Sequence, residues 1–489
     1  MLEISISEVE VRSLLKELEL KKTGMTHSIE ITSIDNQSPL LLPTEKEDEI
    51  EEGGKVDHLI DIEETKKCVN QIFDKMFEDL DNLSIKSCTI FKVNVGLRES
   101  NPDAYTPKMV SIGPYHKKNP QLDSMEKYKL LYLRRFLQRN EKLDVECCIN
   151  ELEKLKEEAL KCYADVGDSD NDSHEFCRML LLDGCFAVEF IRECSEMCPP
   201  VEEKIINIDD VICYQIVRDL MLLENQLPFF VLNKLFHMTK QDDELPLAIL
   251  ANDTFNYFGD MPKLTHASII KEIECNAGNI KHLLHVVHIF SCHGNPMKKS
   301  KFGIMWHKIM PNATKLSEAG VRFAKVGYAT NLFDIKFENG LMTIPYFQVE
   351  DGTETLLQNL IAYEQQSSDV QPKYFSDFAT FMDYLIDSDA DVTLLRQEGI
   401  IENWIGDDKE VASMFNKMRN KVRVYSNFYY NEEYINAVEH CEKPWNKMRA
   451  KVMHNFFNKA WAGASTVAAI IVFTLTIIQT ILAFVGGVR

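Results

Sequence analysis

Leu222-Leu223-Glu224-Asn225-Gln226-Leu227-Pro228-Phe229-Phe230 sets three consecutive polar residues inside strongly apolar text. Buried polar side chains must be paired, so the stretch raises the question of what Glu224, Asn225 and Gln226 bond to. Around it, helical text runs from Val211 to Phe236, interrupted at Pro228, and Ile212, Ile216, Leu220, Leu223 and Leu227 form one stripe. The reading that fits is a turn between helices. Asn225 or Gln226 holds backbone groups that a helix end leaves unsatisfied, and Pro228 opens the next helix, where its missing N–H costs nothing. A catalytic Glu224 competes with this reading, but no base or nucleophile can be read beside it. Glu224, Asn225 and Gln226 are therefore expected to form a structural polar turn.

Helical periodicity extends outward on both sides. Ile60, Ile62, Val69, Ile72, Phe73, Met76 and Leu80 recur at helical spacing, as do apolar positions in 125–137, 147–162 and 176–191. After Pro311 the period changes to two. Val321, Phe323 and Val326 alternate, as do Phe333, Ile335 and Phe337 before Asn339-Gly340, and Met342 and Ile344 after it. An Asn-Gly pair between alternating apolar runs predicts a hairpin, Phe333–Phe337 against Leu341–Tyr346, with Val321–Val326 as its neighbour. Helices return over 354–365, 374–386 and 391–397, and a D-x-x-E capping pattern at Asp407-Asp408-Lys409-Glu410 opens another. The expected fold is mainly α: a multi-helix globular body with a small antiparallel β-hairpin or sheet around 320–349, plus one C-terminal transmembrane helix.

The chain has 489 residues, of which 45% are apolar and 27% charged. These ordinary proportions exclude a mostly disordered chain, a collagen-like repeat and a polytopic membrane protein. Lys+Arg 54 against Asp+Glu 76 leaves a formal charge of −22, which argues against a nucleic-acid partner. Thirteen cysteines without framework spacing read as reduced, buried thiols in a reducing compartment. Residues 1–55, with the acidic run from Glu45 to Glu52, read as a partly disordered extension, and 56–455 as the helical domain.

From Ala460 to Val488 there is no charged residue. About twenty apolar residues suffice to cross a bilayer, so 460–486 is expected to be a tail anchor. Lys443, Lys447, Arg449, Lys451 and Lys459 precede it and only Arg489 follows. The positive-inside rule then places the body in the cytoplasm, on the plasma membrane or an endomembrane, with Lys459 and Trp461 at the interface. Membrane lipid and an unidentified protein are the expected partners.

Other constellations carry less. Asp168-Ser169-Asp170-Asn171-Asp172 begins like a calcium loop, but Ser173 stands where the turn needs Gly and Met179 where a bidentate Glu is required. His282, His285 and His288 lie at i, i+3 and i+6, whereas helical zinc sites use i, i+4, and no carboxylate or CxxC partner is visible. These histidines are read as edging a core helix, with no metal and no cofactor. Ser111 to Lys118 reads as a turn with a basic edge. No GxSxG, HExxH, P-loop or GxGxxG motif occurs.

Asn101 to His116, Met179 to Phe186, Asp219 to Leu232, Glu318 to Val321, Leu357 to Gln365 and Gly399 to Trp404, in that order, resemble the signature segments of the plant "domain of unknown function 247" family. The resemblance covers roughly Val56 to the end. It departs at Val93-Asn94, where many members read Val-Pro and where only a local change in a turn is expected. It implies a mostly helical body with a C-terminal span and, for some members, a part in pollen–stigma self-incompatibility in grasses. It supplies no catalytic residues. The expected function is that of a non-catalytic interaction or recognition protein. The alternative is a hydrolase or transferase whose motif the sequence does not display.

Overall fold

The computed structural model describes residues 88–164, 166, 173–195, 205, 210–258, 277–295, 308–326, 331–419, 422–423, 427–454 and 460–486. The chain divides into two units, Met1–Leu80 and Asp81–Arg489, and everything described lies in the second. The helical reading of 60–80 and the acidic loop at Asp168–Asp172 fall outside the described residues.

The architecture is mainly helical with a small sheet. Its centre is α4, Ser173–Ser195. In Met179-Leu180-Leu181-Leu182-Asp183-Gly184-Cys185-Phe186 nearly every side chain is buried, and a helix that is apolar on all sides must be enclosed. It is enclosed by α1 (Glu126–Gln138), α2 (Val145–Glu153), α6 (Phe229–Thr239) and α7 (Leu247–Phe258). A Cβ added at Gly184 would stand 2.4 Å from Leu235 Cδ1, so glycine is what lets α6 approach. Between them come α3 (Lys156–Lys161) and α5 (Asp210–Leu220), and then α8 (Leu283–Cys292) and α9 (Ala313–Glu318).

The region of period two forms β1 (Arg322–Val326), β2 (Lys336–Glu338) and β3 (Leu341–Pro345). β2 and β3 pair antiparallel, Phe337 opposite Met342, across Asn339 at φ 51° and Gly340 at φ 77°. Two positive φ values in succession are what a tight hairpin turn demands and what Asn-Gly supplies. The ladder is shorter than expected, because Phe333 and Ile335 are buried ahead of it rather than paired in it. β1 lies parallel to β3, so the sheet is mixed rather than antiparallel. Alternation shows which face of a strand is buried, not which way its neighbour runs. A second parallel pair, β4 (Phe347–Val349) with β5 (Ile401–Asn403), was not foreseen; strands of three residues are too short to show a period.

Helices α10 (Thr353–Gln366), α11 (Tyr374–Leu385), α12 (Asp389–Gln397) and α13 (Asp408–Met418) complete the core. Asp407 caps α13, its carboxylate accepting the Lys409 N–H. The surface helices α14 (Asn431–Glu442) and α15 (Pro444–Val452) follow, then α16 (Ala460–Gly486).

The expected transmembrane helix is not supported. Side chains of α16 are described over 468–483, and all are exposed. Among the described residues no helix is long and apolar enough to cross a membrane. Lys459 and the Trp461 side chain lie outside the described set.

Candidate functional site

The three polar residues of the opening stretch sit in a buried junction of chain segments far apart in sequence. Helix α5 ends at Leu220, earlier than the stripe through Leu223 and Leu227 suggested. Its last carbonyls need partners, and the turn's own side chains supply them. Asn225 Nδ2 donates to Asp219 O at 2.9 Å, and Gln226 Nε2 donates to Leu220 O at 2.6 Å and Leu222 O at 2.8 Å. Asn225 also accepts the Ile112 N–H at 2.7 Å and donates to Val110 O at 3.0 Å. Gln226 Oε1 accepts the Leu284 N–H at 3.3 Å.

Residues 108–113 therefore cross the interior outside any β-sheet, their backbone satisfied by side chains. Asp219 accepts the N–H groups of Lys108, Met109 and Val110 at 2.6–3.1 Å. Lys129 of α1 donates to Ser111 O at 2.7 Å and to Asp183 of α4 at 2.6 Å, and Asp183 accepts the Gly113 N–H at 2.9 Å. Sequence reasoning did not single out Asp219, Asp183 and Lys129. Their signal was available: each is a charged residue set inside an apolar helical stripe.

Glu224 is buried and takes its partners from three directions. It accepts the Val93 N–H at 2.5 Å and a guanidinium N–H of Arg98, and His116 Nε2 lies 3.5 Å from its other oxygen. Burial alone would raise its pKa. His116, the Val93 amide and Arg98 outweigh that and hold it below the ordinary carboxylate value. A carboxylate so held is a poor proton acceptor at neutral pH. Asn94, where the resemblance departs from Val-Pro, caps the single helical turn Val95–Arg98 that carries Arg98. Its Oδ1 accepts the Gly96 N–H at 2.9 Å, and its own N–H goes to Gln366 at 2.8 Å, a bond proline could not make.

The histidines have separate tasks. His282 precedes α8 and caps it, Nδ1 accepting the His285 N–H at 3.1 Å; His285 Nδ1 accepts the Lys281 N–H at 3.1 Å. All three rings pack around Tyr363, with centroids 5.1–5.5 Å away. Among the described residues no three His, Cys, Asp or Glu side chains converge as metal ligands would. His288 Nε2 lies 3.0 Å from Glu364 Oε1 and 3.7 Å from Cys292 Sγ. A nucleophile–base–acid relay needs both ring nitrogens. Here thiol and carboxylate meet the same one, and burial followed by Glu364 pushes the Cys292 thiol well above its ordinary pKa.

The surface feature beside the junction is a groove of about 640 Å³. Val211, Tyr214, Met221, Phe347, Leu356 and Leu357 of α10 line it, with Trp404. Lys108, Glu350 and Asp351 also line it, and Arg218 is tied to the Thr106 and Asp103 carbonyls and to Asp219. Phe347 donates its N–H to Ile400 O, and Val349 O accepts the Trp404 N–H. In a parallel pair these alternate, so the backbone groups of Gln348, also lining the groove, face away from β5. Among the described residues no strand pairs with that edge. The lining holds no Ser, Cys or His.

The chain is similar to the UPF0481 protein At3g47200 of Arabidopsis thaliana, 27% identical over 429 residues that cover 83% of this chain and 88% of that protein. It is also similar to a second UPF0481 protein of that plant, At3g02645, 23% identical over 490 residues covering 82% and 90%. No solved structure matches it. The family model DUF247, described as a plant protein of unknown function, matches residues 90–475, the span that holds both the buried junction and the groove. On that match, this chain belongs to the plant DUF247 family.

Proposed function

We propose that this chain is a non-catalytic interaction protein that takes an extended segment of a partner protein into the groove beside Trp404. One observation carries the reading: Val211 and Trp404, each 65% exposed, line an apolar groove that also offers, at Gln348, a strand edge with which no described strand pairs. Clustered exposed apolar side chains mark contact sites, tryptophan is prominent among residues that dominate binding, and extended peptides add to such edges. A hydrolase or transferase reading has no comparable support, since Glu224 is held ionised and the described lining of the groove holds no Ser, Cys or His. Recognition in self-incompatibility, which the resemblance implies for some members, would be one instance of such binding.

The test is proximity labelling in plant cells by the full-length chain and by Trp404→Ala and Val211→Asp variants. Both positions are exposed, so the variants are expected to melt with the parent. A set of labelled proteins lost in both variants, and restored by Trp404→Phe, supports the groove. Identical labelling by parent and variants at equal abundance overturns it.

A further inference from the structure

Helix α15, Pro444-Trp445-Asn446-Lys447-Met448-Arg449-Ala450-Lys451-Val452, is amphipathic with its apolar side turned outward. Trp445, Met448 and Val452 lie at i, i+3 and i+7, hence on one face. They are 71%, 50% and 42% exposed. The opposite face, Asn446, Ala450 and Met453, is the half-buried one, and Asn446 Nδ2 donates to His440 O of α14 at 2.8 Å. Arg449 is laid over Gly320, where an added Cβ would come within 2.8 Å of its Nη1. Lys443, Lys447 and Lys451 are exposed, as is Arg449. Lys447 shares Glu442 with Lys308, at 2.7 and 2.6 Å. A chain of net charge −22 thus shows, at one place, an exposed tryptophan among lysines, of which Lys447 alone is paired with a described carboxylate, Glu442.

We propose that α15 docks on the surface of an anionic phospholipid bilayer, lying in the headgroup plane. An indole is amphipathic and favours that depth. Methionine and valine beside it bury apolar area, and Lys447 and Lys451 on one flank, with Arg449 on the other, keep their charged groups in the headgroup layer while their stems lie along it. Anionic headgroups supply the countercharge the lysines lack. An apolar protein surface would satisfy the stripe but would leave the flanking charge uncompensated.

The experiment uses the full-length chain with phosphatidylcholine vesicles, with and without phosphatidylserine. Whatever the exposed apolar side chains of α16 add, they add to both, so the difference between the two vesicles reports the chain's cations and the lysine variants assign it to α15. Binding is expected to be stronger to the serine-containing vesicles and to weaken as salt is raised. Lys443→Gln/Lys447→Gln/Lys451→Gln should lower anionic-vesicle affinity about fivefold per lysine removed and leave neutral-vesicle binding unchanged. Trp445→Ala should lower both. If the triple variant melts early, Lys443→Gln/Lys451→Gln, which spares the Glu442 pair, carries the same test. Equal binding to neutral and anionic vesicles overturns the proposal. So does undiminished anionic binding by a well-folded lysine variant, or a lysine effect seen only on self-association without vesicles.

Discussion

Asn225 Oδ1 accepts the backbone N–H of Ile112 at 2.7 Å, across 113 positions of chain. The same side chain donates to Val110 O and Asp219 O. One amide thus joins an interior segment that has no sheet partner to the carbonyl end of α5. A buried group stripped of its partner costs about 1–3 kcal/mol, and Asn225→Ala strips several. The expected result is a large loss of thermal stability and of abundance in cells, ahead of any selective loss of binding. Asn225→Asp should be no milder, since it keeps the acceptor for Ile112 but faces two carbonyls with a carboxylate. Normal melting of either variant would contradict the assignment.

Glu224 gives stability a pH dependence of defined sign. Its folded pKa lies below the ordinary value, which is near 4.3 for a glutamate. Its ionisation therefore stabilises the fold fully above that value, and the contribution is lost as pH falls through the lower folded one. Glu224→Gln should destabilise at pH 7 by about 1–2 kcal/mol, discounted because Arg98 is part-exposed. The gap between variant and parent should narrow as pH falls below about 4.3. Denaturant unfolding at pH 7 and below that value measures it; a gap unchanged with pH would rule out the ionised role.

How much of this was legible in the sequence depends on range. The hairpin at Asn339-Gly340 was readable because two neighbouring residues carry its whole backbone requirement. The apolar run of α4 was readable because its burial is written in its own composition. The polar turn at 224–226 announced itself as a polar interruption, but its partners did not. Ile112, Val93 and Arg98 lie more than a hundred positions away, and nothing local marks them as its partners. The parallel course of β1 and the pairing of β4 with β5 escaped for the same reason: direction and partnership belong to tertiary structure. The overlong reading of α5 has a local cause. Leu223 and Leu227 continue its stripe, yet Asn225 and Gln226 turn back to cap its carbonyls and stop it at Leu220.

His282 tests capping by an unusual residue. Serine, threonine, aspartate and asparagine usually cap a helix; here an imidazole nitrogen accepts the His285 N–H. His282→Ala should cost at least the ~1 kcal/mol of a lost cap, and His282→Asn should recover part of it. Burial, followed by the charge of Lys281, lowers the His282 pKa to about 3. Because the folded value is depressed, the neutral ring contributes stability above pH ~6.5 that is lost as pH falls toward about 3. His282→Asn should remove that part of the acid sensitivity. Melting curves across that interval decide it; parallel parent and variant profiles would count against a buried neutral cap.

Gly113 is where the interior segment runs against the backbone of the turn. Its φ of +78° is a conformation that side chains rarely adopt, and an added Cβ would stand 2.6 Å from the carbonyl oxygen of Gln226. Backbone cannot yield as the tip of a side chain can. Its N–H is also bound by Asp183, so any shift that relieves the clash also breaks a buried bond to a carboxylate. Strain of this kind costs about 1–3 kcal/mol before the lost bond is counted. Gly113→Ala is therefore expected to lower the melting temperature strongly and to reduce abundance. Gly352 is the matched control: an added Cβ there meets nothing within 4 Å, and its φ of −82° suits any residue. Gly352→Ala should leave melting nearly unchanged. Similar melting temperatures for the two variants would show that residues 108–113 can be displaced without loss, contrary to their bonding.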